Sequence, residues 1–351
     1  MKENIKKHKN YKFPSELRYD LGSKDWVVVA TGRAKKPEMF KKEKKERERM
    51  KFKKDCPFCQ IQTQENPTLI FSNGKEIPFE SWKNILNKWS TIVVPNKYPA
   101  FLPYPKLEEK IEGGLFYKMN AVGFHEVVIT KDHNRQIANF SVDEVYELFN
   151  VYQKRYVSLM KEKFVNYVSI FHNHGHQAGA SIVHPHSQII TTPLIDTDLR
   201  KALSNANSYS KEKNECIYCL MNKWEMKTKK RIIFENKDFI ALCPFASKTA
   251  FEVIVSPKKH LSYFEEITES QMWNLSEAFG TAIKKIYKGL NDPDYNFYLH
   301  SAPCDGKDHS YYHWHWTILP KTSIWAGFEI GTKIEISTIE PEKAAQYLRK
   351  Q

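Results

Sequence analysis

The apolar positions along the chain fall into short runs set between turn-forming or charged residues, and these runs predict strands. Residues 26–30, 91–94 and 126–130 are three of them, and 231–235, 239–242, 251–256 and 296–299 follow further on. Most are rich in β-branched or aromatic side chains and end at Pro, Asn, Lys or Asp. Two stretches break the pattern. Ser141-Val142-Asp143-Glu144 and Thr268-Glu269-Ser270-Gln271 have the form of capping boxes, in which a hydroxyl and a Glu or Gln side chain satisfy N–H groups at a helix start. They open helices predicted to reach about residue 163 and residue 290. Residues 171–190 (FHNHGHQAGASIVHPHSQII) read as a strand, a bend containing Gly175, Gly179, Ala180 and Ser181, and a second strand. Side chains two apart on a strand share a face, so His184 and His186 face one side with Gln188 next in line. Pro185 cannot donate to a ladder, which predicts a sheet edge or a bulge here. The bend would let backbone N–H groups approach an anion. Taken alone, the stretch fits a polar loop or a pair of metal ligands equally well.

The order of features repeats. In the first half a C-x-x-C pair (Cys56, Cys59), a strand-end His133, a capped helix and His184-Pro185-His186 follow one another. In the second half Cys216 and Cys219, His260, the second capped helix and His313-Trp314-His315 do the same. His133 to Ser141 and His260 to Thr268 both span 8 positions, while His133 to His184 spans 51 and His260 to His313 spans 53. The spacing predicts an internal duplication of a β-rich unit with one helix, divided at 1–205 and 206–351.

The 351 residues suffice for two modules around a large core, and no apolar run reaches membrane-spanning length. The N-terminus (MKENIKKHKNYKF) lacks the apolar segment of a signal peptide. A cytoplasmic protein is therefore expected. Thirteen excess positive charges favour anionic partners: nucleic acid, phosphorylated metabolites or a membrane surface. Much of the charge lies in residues 40–55 (FKKEKKERERMKFKKD), a mixed-sign run that reads as a solvated helix or linker.

In a reducing compartment a C-x-x-C pair is half a zinc site or a redox pair. A thioredoxin-like pair would open a helix after a strand, whereas Cys56 follows the charged run, so zinc is the better reading. Two tetrads result: Cys56, Cys59, His133 and His184, then Cys216, Cys219, His260 and His313. Their ligands are too dispersed for a nucleic-acid zinc finger. Four-ligand sites leave no open position, so both zincs are expected to be structural. With His184 on metal, His186 remains as a nucleophile, and Gln188, Asn173 and Ser181 are placed to donate to phosphate oxygens. Trp316 and Thr317 follow His315, so the second half lacks these helpers.

HPHSQ with the upstream Asn173 and Ala178-Gly179-Ala180-Ser181 resembles the histidine-triad superfamily, in particular its branch of galactose-1-phosphate uridylyltransferases. LRYDLGSKDWVVVATGRAKKP, CPFC, VPNKYPAF and HEVVITKDH follow in that family's order, so the similarity covers nearly the whole chain. LNDPDYNFYLHSAP, HWHWTILP and AGFEIGT look closer still to the ADP-glucose phosphorylase type. The resemblance implies an α+β fold: a duplicated histidine-triad-like unit forming an antiparallel half-barrel sheet with helices packed on it, paired as a homodimer. It also implies that His186 takes up a nucleoside monophosphate from a nucleoside-diphosphate sugar. Asn173, Ser181 and Gln188 would hold the phosphates, Arg33, Lys36 and Asn96 would lie near the nucleoside, and Glu329 near the hexose. Gly327-Phe328-Glu329 departs from the Tyr-containing uridylyltransferase pattern, so inorganic phosphate stands beside hexose 1-phosphate as acceptor. A dinucleoside polyphosphate phosphorylase using the same nucleophile, or a zinc-containing nucleic-acid-binding protein, are the other readings.

Overall fold

A computed structural model describes residues 15–30, 35–41 and 55–351. Arg33 and most of the mixed-charge run lie outside the described residues. Strands β1 (Glu16–Tyr19) and β2 (Trp26–Val29) form a hairpin. Strands β3 (Leu69–Ser72), β4 (Lys75–Glu76) and β5 (Thr91–Pro95) follow the first Cys pair. A separate hairpin of β6 (Glu109–Glu112) and β7 (Phe116–Met119) precedes β8 (His125–Thr130). Helix α1 (Val142–Leu159) leads to β9 (Tyr167–His174) and β10 (His186–Thr192). Helices α2 (Thr197–Lys213) and α3 (Ile217–Thr228) come next. The second half then supplies β11 (Ile232–Glu235), β12 (Phe239–Leu242), β13 (Val253–Pro257), helix α4 (Glu269–Leu290), β14 (Tyr295–His300) and β15 (His315–Pro320). Helix α5 (Gly327–Thr332), β16 (Ile336–Ser337) and helix α6 (Pro341–Arg349) complete the chain.

One antiparallel sheet of eleven strands organises all of this, in the order β11-β12-β13-β15-β14-β9-β10-β8-β5-β3-β4. Its centre is the β9–β14 pair, with Asn173 opposite Asn296 and Phe171 opposite Tyr298. Reading outward, β10, β8, β5 and β3 on one side answer to β15, β13, β12 and β11 on the other. The position 205/206 falls inside α2, and hydrogen bonding runs unbroken from one half of the sheet to the other.

Both predicted capping boxes are formed. Ser141 accepts from the Glu144 N–H and Thr268 from the Gln271 N–H, and each acid or amide reaches back to its cap N–H. Helix α1 ends at Leu159, a few residues short of the expected 163, and α4 ends at Leu290 as expected. Val145, Leu148, Phe149, Tyr152 and Tyr156 repeat every three or four residues, so α1 buries one stripe. That stripe meets α4 through Phe149 and Phe279, whose ring centres are 5.0 Å apart. Both helices cover one face of the sheet, the face to which His172, Phe297 and Trp316 point. Trp316 is fully buried there, packed against Phe149, Phe264, Phe279 and Phe297.

The expectation that Pro185 marks a sheet edge is corrected. Strand β10 lies inside the sheet, between β9 and β8, and begins at His186. Pro185 sits one residue before the ladder, where its missing N–H costs no strand bond. Helices α2 and α3, also absent from the sequence reading, close one side of the sheet's other face. Among the described residues no helix is long and apolar enough to cross a membrane.

Trp316→Ala should destabilise the protein by about 3–5 kcal/mol, the cost of emptying a fully buried aromatic site shared by both helices. Chemical denaturation reads this directly.

Candidate active site

The face of the sheet opposite α1 and α4 carries the chemistry. Alternation places His186 and Gln188 of β10, Phe171 and Asn173 of β9, and His125 and Val127 of β8 on this face. Ser187 points the other way, where Tyr152 (2.5 Å) and His172 (3.1 Å) bond its hydroxyl and pin the strand from below.

The His186 ring is nine-tenths buried, and its Nδ1 lies 2.9 Å from the His184 carbonyl oxygen. A carbonyl only accepts, so Nδ1 carries the proton and Nε2 keeps its lone pair. Burial lowers the pKa of His186, with the bond to the His184 carbonyl working against that shift. The ring is therefore neutral and nucleophilic at pH 7. Phe58, from the C-x-x-C loop, packs edge-on against it at 5.0 Å.

Beside His186, the Asn173 side-chain oxygen accepts from Asn296 (2.7 Å), leaving its NH2 end toward the bend. The bend is held from the second half. Asp294 accepts from the Gln177 N–H (2.8 Å), and His174 Nε2 bonds Asp292 (2.9 Å). Gly175 has a φ of +84°, and a Cβ there would sit 2.0 Å from the Asp294 carboxylate, so only glycine fits. Ser181 is exposed on the stretch returning to His184. Gln188 and Asn96 meet at His125, whose Nε2 lies 2.8 Å from the Gln188 side-chain oxygen and 3.0 Å from the Asn96 amide nitrogen. His125 was missed in the sequence reading, because its nearness to Gln188 depends on the pairing of β8 with β10.

Both Cys/His tetrads are assembled, each with its ligand atoms within 4.8 Å of one another. In the first, Cys59 Sγ is 3.2 Å from His133 Nδ1 and 3.5 Å from His184 Nδ1, and Cys56 Sγ is 3.7 Å from His184 Nδ1. In the second, Cys219 Sγ is 3.4 Å from His260 Nδ1 and 3.5 Å from His313 Nδ1. These spacings match the S···N edge, about 3.5 Å, of a tetrahedron with ordinary zinc bond lengths. His184 Nε2 donates to the Thr130 carbonyl (2.6 Å) and His313 Nε2 to the Pro257 carbonyl (3.0 Å), which turns each Nδ1 lone pair inward. Burial holds His184 down at about 4, the neutral state a metal ligand needs.

The second half differs beyond its tetrad. A cavity of about 1590 Å³ lies over β13, β14 and β15, with His300, His315 and Glu252 in its wall. His315 repeats the His186 arrangement, with Nδ1 3.3 Å from the His313 carbonyl. Asn173 and Glu329 both line the cavity, and Glu329 accepts from the Ala326 N–H (3.0 Å) at the start of its own helix. No described hydrogen bond or ring contact links Glu329 or the exposed Lys36 to His186. The structure thus gathers His186, Gln188, Asn173 and Asn96 around one stretch of sheet.

With the site in view, comparison with known proteins decides the family. The model of the galactose-1-phosphate uridyl transferase N-terminal domain matches residues 5–196, and a domain of unknown function matches residues 121–351. The chain belongs to the galactose-1-phosphate uridylyltransferase family. The ADP-glucose phosphorylase of Arabidopsis thaliana is 31% identical over 338 residues, covering 95% of this chain and 92% of its own length. A galactose-1-phosphate uridylyltransferase of Thermotoga maritima is 27% identical, covering 95% and 98%. A crystal structure of the Arabidopsis thaliana ADP-glucose phosphorylase with bound ADP-glucose superposes with a TM-score of 0.77 at 28% identity, over 96% of this chain and 99% of that one. These relatives are nucleotidyl-transferring enzymes, and the chain is an enzyme of that type.

Two outcomes follow from this geometry. Metal analysis of the purified protein should find metal at each tetrad, and Cys56→Ser or Cys216→Ser should each remove roughly half of it and lower the unfolding temperature. Burial raises the Glu252 carboxyl to about 7 from an ordinary 4.5. A raised acid favours the fold fully below its ordinary value and loses that contribution as pH climbs through the folded value. Glu252→Gln should therefore flatten the fall in stability between pH 4.5 and 7.

Proposed function

We propose that the chain transfers a nucleoside monophosphate from a nucleoside-diphosphate sugar to a second phosphate by double displacement through His186. The observation that carries this reading is the tautomer of His186: a neutral ring, its proton held at Nδ1 by the His184 carbonyl, which leaves the Nε2 lone pair free. Nε2 attacks the α-phosphorus, the bond from that phosphorus to the bridging oxygen breaks, and sugar 1-phosphate leaves. An oxygen of the acceptor phosphate then attacks the same phosphorus, and the P–N bond breaks to restore the free ring. Gln188 and Asn173 donate to the non-bridging oxygens as charge builds in each step. Ser181 is placed in the same role from the bend, and Arg33, Lys36 and Asn96 at the nucleoside.

The phosphorylase form, with ADP-glucose as donor and inorganic phosphate as acceptor, is the leading one. It is supported by the 31% identity to the ADP-glucose phosphorylase and by Phe328 beside Glu329. Uridylyl transfer from UDP-glucose to a hexose 1-phosphate is the second reading, supported by the uridylyltransferase relatives.

The two tetrads are read as structural zinc sites, since two thiolates and two imidazoles close a tetrahedron around that ion. Zinc there would tie the Cys loops to the strand ends and hold the backbone on which His186 sits. The matched strand order on either side of β9–β14 supports a duplicated unit, with 1–205 and 206–351 as the two copies and the sheet curved as a half-barrel. A homodimer is part of the same reading, as the family likeness implies. Six free cysteines suit a reducing, cytoplasmic setting.

Intact-protein mass spectrometry after brief mixing with ADP-glucose should reveal an adduct the size of AMP, absent in His186→Ala and discharged by inorganic phosphate. A UMP-sized adduct from UDP-glucose, discharged only by a hexose 1-phosphate, would select the uridylyltransferase form. Full turnover by His186→Ala would sink double displacement.

A further inference from the structure

We infer that His125 is a positioning residue that sets which end of the Gln188 amide faces the phosphate. The inference rests on the proposed role of Gln188 and adds a residue to which nothing has been assigned. It starts from a problem every glutamine presents. An amide has a donor end and an acceptor end of nearly equal size, and rotation about its last bond exchanges them. Gln188 helps a phosphoryl group only with its NH2 outward. Turned the other way it puts a carbonyl oxygen against phosphate oxygens and repels them.

The choice is made one strand away. The Ala100 N–H lies 3.1 Å from His125 Nδ1. A backbone N–H cannot turn aside, so Nδ1 must accept, and the ring proton is placed on Nε2. That Nε2–H points at the Gln188 side-chain oxygen, 2.8 Å away. With its oxygen engaged, the amide presents NH2 to the face occupied by His186. The Asn96 amide nitrogen lies 3.0 Å from the same Nε2, because the Asn96 oxygen is taken by the Tyr98 N–H (2.9 Å). The opposite tautomer would suit Asn96 but would set the Ala100 N–H against another N–H. The fixed backbone donor decides between them.

The loop that fixes His125 is the one that carries Asn96. The Asn96 N–H donates to the His125 carbonyl (2.8 Å), so residues 96–100 are clamped to His125 at both backbone and ring. That loop, on the side assigned to the nucleoside, is thereby tied to the amide beside His186.

The second half supplies an internal comparison. Thr317 follows His315 by two positions, as Gln188 follows His186, and lies opposite Ile254 as Gln188 lies opposite Val127. Eight positions before His260 stands Glu252, where eight before His133 stands His125. Where the glutamine is absent, the histidine that would orient it is absent too.

The test is single-turnover adduct formation on metal-loaded full-length protein, using ADP-glucose or UDP-glucose, whichever labels the wild type. Gln188→Ala should slow the step about 100-fold, the usual loss for one donor to a developing charge. His125→Ala should slow it about 10-fold or more with little change in KM. In the Gln188→Ala background, His125→Ala should add nothing further. Equal slowing in both backgrounds, or no slowing in the wild-type background, overturns the inference. His125→Asn serves if the alanine variant loses metal or stability. Failure of the underlying reading looks different: no adduct forms, or it persists in His186→Ala. In that case 15N NMR of the imidazoles decides, since the inference requires His125 in its Nε2–H form with a Gln188-dependent Nε2 shift.

Discussion

The hydrogen bond from His186 Nδ1 to the His184 carbonyl joins the two kinds of chemistry in this protein. It spans two residues, so its geometry depends on how firmly the backbone at 184–186 is held. That hold comes from four directions. The His184 ring is drawn toward Cys56 and Cys59 and bonded behind to the Thr130 carbonyl. Pro185 stiffens the step between the two histidines. Ser187 is pinned by Tyr152 and His172 beneath the sheet. With so many restraints, the lone pair at Nε2 is aimed before any substrate arrives, which is how a site lowers the cost of orienting its reactants.

The eleven-stranded sheet serves two purposes at once. Its helix-covered face is a single apolar core in which residues of both halves interleave, with Trp316 from β15 packed against Phe149 from α1. Its other face is polar along the central strands, and the Asn173–Asn296 bond crosses the line between the halves there. Neither half could supply the site alone. Asp292 and Asp294, which hold the bend after His174, come from the loop leading into β14.

The strand order on either side of β9–β14 is matched, and the side chains carried there differ. His315 repeats the tautomer of His186, and His313 bonds the Pro257 carbonyl as His184 bonds that of Thr130. Around His315, however, the places of Asn173, Gln188 and His125 are held by His300, Thr317 and Glu252. His300 lies tilted against His315 with ring centres 4.7 Å apart, and the cavity above them is walled by both carboxylates and lysines, among them Glu252 and Lys248. Two imidazoles held the same way by the backbone thus stand in different surroundings.

Much of this was determined by the sequence alone. The capping boxes, the two C-x-x-C pairs and the H-x-H steps each act through neighbours a few residues apart, and repeated spacing tied them into tetrads that the structure assembles as expected. What depended on register between distant strands was not readable. The interior place of β10 overturned an inference from Pro185, because a proline just before a ladder and one inside it look alike in a string of residues. His125 could be found only once β8 lay beside β10, and the Ala100 N–H that decides its tautomer comes from a separate loop. Local rules act over a few bonds, whereas partners across a sheet are chosen by the packing of the whole molecule.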